Sequence, residues 1–305
     1  MVRKGSRVRV SFRASLSERN DTGQPETLGT ALEGRMARGW RLTKAAWAII
    51  RRDPTMIAIA LLGAGCALLG AAAILYFSGY FSSPSDSRGR AALIAAIAVY
   101  PLTFLSVFFN VALAGAAVAR FEGRPIDLRQ ALGISFNRLG RIAQWSLLAA
   151  GVGIALEQIA SRIPGAGRLA SWLLGAAWGL ATIFAVPLLV LKGAGPFDTA
   201  KESVRLIKTK WGEGITGLVG INAWTAIVMV PAAIVLGIGI FATDAALGAV
   251  LIAIAVAAIL LVAALSTATQ QVFSVALYRY ATGAPGTDQF AAADLEDPFS
   301  RRGRS

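Results

Sequence analysis

The chain has 305 residues, of which 55% are hydrophobic and only 15% charged, with a mean hydropathy of +0.60. Water-soluble domains are nearer a quarter charged and less than half apolar, so composition points to a membrane protein. A net charge of +13, no histidine and a single cysteine exclude an intramolecular disulfide, a histidine base or dyad, a His-ligated metal and a thiolate cluster.

In chain order, residues 1–35 are rich in Arg, Ser, Thr and Gly and keep no sustained period, so they read as a disordered basic tail. No apolar h-region of a secretory signal follows closely. Met36 stands just before the first patterned segment and reads as an alternative start. A single full-length species in the intact mass of the native protein would exclude that. On a helical wheel from Arg38 to Arg52, Leu42, Ala46, Ile49 and Ile50 share one arc. Arg41, Lys44, Arg51 and Arg52 share another, with Trp40 and Trp47 at the border. This is the pattern of a helix lying in the membrane interface, its tryptophans at headgroup depth.

Six apolar runs follow, at about residues 55–80, 91–118, 142–160, 169–191, 215–242 and 246–278. Each approaches the roughly 20 residues that a helix needs to cross about 30 Å of hydrocarbon. Their Ala- and Gly-rich content predicts helices rather than barrel strands. Pro101, Pro187 and Pro231 lie inside runs and are expected to kink them or break hydrogen bonds locally. Gly175 and Gly179, in "GAAWG", suit close helix packing.

Lys plus Arg number 12 in residues 1–53, five in 119–141, five in 192–214 and four in 279–305; the alternate loops hold only Arg88, Arg90, Arg162 and Arg168. The positive-inside rule reads this as six spans in the inner or plasma membrane, with both termini cytoplasmic. Residues 36–280 form the membrane domain, and 281–305 read as a second disordered tail. The charge is divided among membrane-proximal segments rather than gathered in one domain. Anionic lipid at the cytoplasmic face is therefore the partner it implies, and nucleic acid is not.

The segment at the first run's entry recurs downstream. "WRLTKAAW" (40–47) places Arg41, Leu42, Lys44 and Trp47 where "VRLIKTKW" (204–211) places Arg205, Leu206, Lys208 and Trp211. A weaker copy, residues 124–141, carries the stripe Leu128, Leu132, Phe136 and Leu139. It enters through Pro125 and Asp127, as the later copy enters through Pro196 and Asp198. The exits "VARFEGRP", "VLKGAGP" and "LYRYATGAP" each give a basic residue, then glycine, then proline. Together these predict an all-α membrane bundle of three units, each an interfacial amphipathic helix followed by a transmembrane hairpin.

The set "RGWRLTKAAWAIIRRDP", "FFNVALAGAAVARFEG", "GPFDTAKESVRLIKTKWGE" and "VFSVALYRYATG" resembles a domain-of-unknown-function family of polytopic bacterial and archaeal membrane proteins, over about residues 36–290. A more distant likeness is to the membrane domain attached to some glycerophosphodiester phosphodiesterases, whose catalytic domain this chain lacks. The resemblance implies no activity and transfers no functional residue.

Chemistry is sparse. No Walker or dinucleotide glycine pattern is framed by a strand and a helix, so no catalytic, cofactor or metal residue is assigned and a non-enzymatic role is expected. Glu157, near the outer end of the third run, is read as a headgroup-level carboxylate paired with Arg162. Asn110, Asn222, Gln270 and Gln271 sit within runs and need partners in hydrocarbon. They either join helices or line a polar cavity. The residues expected at the membrane interface are Trp40, Arg41, Lys44, Trp47, Arg205, Lys208 and Trp211. The leading expectation is a lipid-interacting or membrane-assembly protein with a membrane-protein partner or a second copy. The alternative is a carrier or channel for a small or lipidic solute; an intramembrane enzyme ranks third.

Overall fold

The structure, a computed structural model, describes Ala48, Ile50, Arg51 and residues 53–77, 87–162, 167–211, 219–241 and 244–284. Among these the regular elements are all helices: α1 Pro54–Phe77, α2 Ser87–Phe121, α3 Leu128–Phe136, α4 Leu139–Arg162, α5 Gly167–Ala181, α6 Ala185–Leu191, α7 Pro196–Trp211, α8 Val219–Ile240 and α9 Ala245–Thr282. The tail at 1–35, the first octamer at 40–47 and the segment after Ala284 lie outside the described residues. Helix α2 is the hub, touching α1, α3, α4, α6 and α9, while α4 pairs with α5 and α8 lies along α9.

Among the described residues four helices are long and apolar enough to cross a membrane: Pro54–Phe77, the Ile97–Phe121 part of α2, Leu139–Arg162 and the Ala246–Thr282 part of α9. One run departs from the expected single helix. The fourth, expected as one helix over 169–191, is split into α5 of 15 residues and α6 of seven. Pro187 explains the split, because it has no N–H to give the Ile183 carbonyl and its ring crowds that oxygen. The fifth run forms the single helix α8, Val219–Ile240, of 22 residues. Pro101 and Pro231, by contrast, lie inside uninterrupted helices.

Burial is concentrated at one end of the bundle. The end of α2 from Val107 to Ala119 packs with the last turns of α9, from Ala264 to Ala281. Met56 and Ile59 of α1, Ala131 of α3, Ile142 and Trp145 of α4, Leu188 and Leu189 of α6, and Ile207 of α7 complete this core. Away from it, apolar side chains face outward, among them Phe77 (84% exposed), Phe241 (85%), Trp172 and Ile254. Water would not tolerate so continuous an apolar surface. Helix α2 has 35 residues and α9 has 38. At about 1.5 Å per residue each is over 50 Å long, well beyond a hydrocarbon core of about 30 Å.

Helix α3 folds back along α2. The buried Ser135 hydroxyl donates to the Phe108 carbonyl at 2.7 Å, and the Phe108 and Phe136 rings meet edge-on at 5.0 Å. Gly115 permits the approach, since a Cβ there would lie 2.7 Å from Ile134 Cδ1. The predicted stripe is corrected here. Ala131 and Ser135 face the core, Leu128 and Leu132 are half-buried, and Phe136 and Leu139 point outward. Leu139 also belongs to a different helix, because the chain turns at Asn137 and Arg138.

The three predicted exits share one backbone device. Gly123, Gly193 and Gly283 take φ of 71°, 59° and 69°, the left-handed region that glycine enters without a Cβ clash. After α2 and α9 the closing bonds match: Arg124 N–H to Ala119 O at 2.9 Å, and Ala284 N–H to Arg279 O at 2.8 Å. After α6 the Gly193 N–H instead reaches Leu188 O at 3.1 Å. The entries differ more. Asp127 is the N-cap of α3 in a capping box with Gln130, whereas Pro196 opens α7 and Asp198 sits inside its first turn. The first entry lies outside the described residues, so the comparison of entries covers the second and third units alone.

Candidate functional site at the basic end of the bundle

The chain's chemistry collects where α2, α6 and α9 end and α4 begins. Lys192, just past α6, donates to Glu202 of α7 at 2.8 Å, and Arg205 reaches the same carboxylate oxygen at 2.9 Å. The Lys192 hydrogen bond holds the Glu202 carboxyl below the usual carboxylate range; partial burial opposes it, and the Arg205 bond and both cations add to it. Across the bundle, Arg279 of α9 is 6% exposed. It bridges to Glu122 at 3.4 Å and lies 5.9 Å over the Phe121 ring. Glu122 also holds Arg124. These pairs tie the ends of α2 and α9 together, and α6 to α7.

Arg138 closes the exit after α6. Its guanidinium donates to Val190 O at 3.2 Å, one of the carbonyls that a helix end leaves without an intrahelical partner. It also packs so tightly on Gly193 that any Cβ there would overlap it. Arg141, one turn on, donates to Gln144 at 3.3 Å.

Hydroxyls repair the break between α5 and α6. Ser274 of α9 donates to Ile183 O at 2.5 Å, the carbonyl that Pro187 cannot serve. The Phe184 N–H donates to Ser203 of α7 at 3.2 Å. Thr182 folds back onto Trp178 O at 2.8 Å. Trp178 in turn stacks on Trp145, with centroids 6.1 Å apart and planes 11° apart. All three hydroxyls are engaged with backbone.

Of the predicted interface residues, Arg205 and Lys208 lie exposed on α7, and Trp211 ends that helix. Trp40, Arg41, Lys44 and Trp47 fall outside the described residues. Of the amides, Asn110 is half-buried on α2 and Gln270 is exposed on α9. Gln271 keeps Oε1 enclosed and unpartnered, and Asn222 lies within α8. Among the described side chains, no hydrogen bond joins Asn110, Gln270 and Gln271 to one another.

Glu157 corrects a further expectation. It is exposed on α4, and Arg162 is not its ion-pair partner. Five residues place two side chains about 140° apart on a helix, which is why the pair does not form. Gly175 faces Leu156 of α4 at 3.7 Å, as close packing requires, but Gly179 faces open space. Sequence reasoning missed Ser135, Ser203, Ser274 and the Glu122–Arg279 pair. Serine among alanines carries no periodic signal, and that pair spans 157 positions. A signal did exist for Lys192 and Arg279, each of which precedes an exit glycine.

An all-helical bundle with an apolar flank and a basic, packed end defines the class: a protein built for a membrane. The profile of a family of unknown function, DUF6159, matches residues 91–287, and the chain belongs to that family. No curated protein and no solved structure matches it.

Proposed function

We propose that the chain is a non-enzymatic, multi-pass protein of the inner or plasma membrane. It crosses six times, keeps both termini cytoplasmic, and acts by engaging anionic lipid and a membrane-protein partner or second copy at its basic end. The observation that carries this is segregation. Ion pairs and buried hydroxyls gather at the end where α2 and α9 stop, while the other end exposes Phe77, Phe241 and Ile254. Cations at one end match an anionic leaflet, at about 1 kcal/mol per residue near the surface.

Helix α8, with 22 residues, has the length for a fifth crossing, about 33 Å. Helix α5 with α6 serves as the fourth, its break kept at the basic end by Ser203 and Ser274. The shared exits support a repeated unit whose entries have diverged. A bacterial or archaeal source, and the distant likeness to the phosphodiesterase-attached membrane domain, belong to this reading.

Sidedness tests it. In a Cys66→Ser background, single cysteines replace Arg124, Lys201 or Ser161. An impermeant thiol reagent should label the first two from one face of the membrane and the third from the other. Labelling of all three from one face would remove the six-span arrangement. A carrier reading has one observation in its favour, the enclosed, unpartnered Gln271 Oε1. Solute flux in proteoliposomes that is lost in Gln271→Leu would promote that reading over lipid engagement.

A further inference from the structure

Helix α3 carries a shallow groove on its outward face, lined by Leu128, Arg129, Leu132, Gly133 and Phe136. The floor is apolar, and Gly133 opens it, since a Cβ there would meet nothing within 4 Å. At one end stands Phe136, 59% exposed and braced edge-on by Phe108. Leu139, next in line and exposed, continues that end into the outward apolar surface of α4. Toward the other end stands Arg129, exposed and absent from the ion pairs that occupy Arg124, Arg205 and Arg279. The nearest carboxylate in sequence, Asp127, already accepts the Gln130 N–H at 2.7 Å as the helix cap.

We infer that this groove holds one anionic phospholipid, its phosphate on Arg129 and its acyl chain running over Leu132 and Gly133 past Phe136. The inference rests on the membrane reading above and adds a defined site to it. Two features choose a lipid over other occupants. The apolar floor opens at Phe136 onto the same surface that hydrocarbon would cover. The cation stands about two helical turns away, at roughly 10 Å, which matches the spacing between a lipid phosphate and the upper part of its chains. A free phosphate would use Arg129 but gain nothing from the floor. Ser135 and Ala131 turn the opposite face of α3 into the core, so α3 is held as a fixed wall.

The test uses the full chain, reconstituted in vesicles of mixed phosphatidylcholine and phosphatidylglycerol, extracted gently and weighed intact by native mass spectrometry. Wild type should keep one phosphatidylglycerol more firmly than the rest. Gly133→Leu fills the groove without touching the core and should lose that lipid while keeping its helical spectrum and melting temperature. Arg129→Gln should lower its occupancy about fivefold, the factor for one basic residue near an anionic surface, and Arg129→Lys should restore most of it. Equal retention in Gly133→Leu and wild type would overturn the site, as would a wild type that holds phosphatidylcholine equally well. A protein adduct lost in Gly133→Leu would replace the lipid with a partner chain. If wild type enriches phosphatidylglycerol overall and the variants do not alter it, the groove alone is wrong. If wild type enriches none, the broader reading of the basic end falls as well.

Discussion

Single side chains at the α5–α6 break carry energies that are large for their size. Ser274 and Ser203 serve a carbonyl and an N–H that the broken helix leaves over. Replacing either with Ala strands a buried backbone group, a loss of about 1–3 kcal/mol. Ser274→Ala should therefore lower the melting temperature in detergent. Ser161→Ala, which removes only an exposed bond to Gln158 O, should not. An unchanged Ser274→Ala would mean that the Ile183 carbonyl finds water instead. Gly115 makes a similar case through space. Gly115→Val would drive a branched side chain into Ile134, and overpacking of this kind costs about 1–3 kcal/mol. The α3 hairpin should loosen, read as increased labelling of a cysteine placed at Ala131.

Among the elements, α7 depends on Glu202. Its carboxyl is depressed in the folded chain, so its contribution is present above the ordinary carboxylate pKa and lost as pH falls through the depressed value. The ties to Lys192 and Arg205 should thus hold at neutral pH and fail in acid. Both cations are half-exposed or more, so the effect is small, about 1 kcal/mol or less. Glu202→Gln should flatten the acid limb of the stability profile. A profile identical to wild type would show that α7 is held by Ile207 and Thr199 alone. Element starts and stops were legible in the chain. Each exit glycine was marked by its neighbours, and Asp127 was legible as a start signal, though its place as the cap itself came from the structure. The orientation of α3 was not, because Ser135 reads as polar and turns inward only once Phe108 presents a carbonyl.

For the whole molecule, stability should be uneven. Helix α8 packs along α9, while the last turns of α9 pack on α1 and α2 as well. Hydrogen exchange in detergent should therefore protect Ala268–Ala281 more than Met229–Ile240. Equal protection would point to contacts on α8 that the single chain does not supply, as in a dimer.

The sequence by itself determined the helical class, the apolar flank, the basic flanking segments and the three glycine exits, because each is set by local composition or by one residue's backbone freedom. Only the tertiary structure decided that the fourth run breaks at Thr182–Phe184 and that Ser274 repairs it. It alone showed that Arg279 meets Glu122 and that Phe136 and Arg129 flank one groove. Those facts depend on which distant residues become neighbours, and no period or propensity along the chain encodes that.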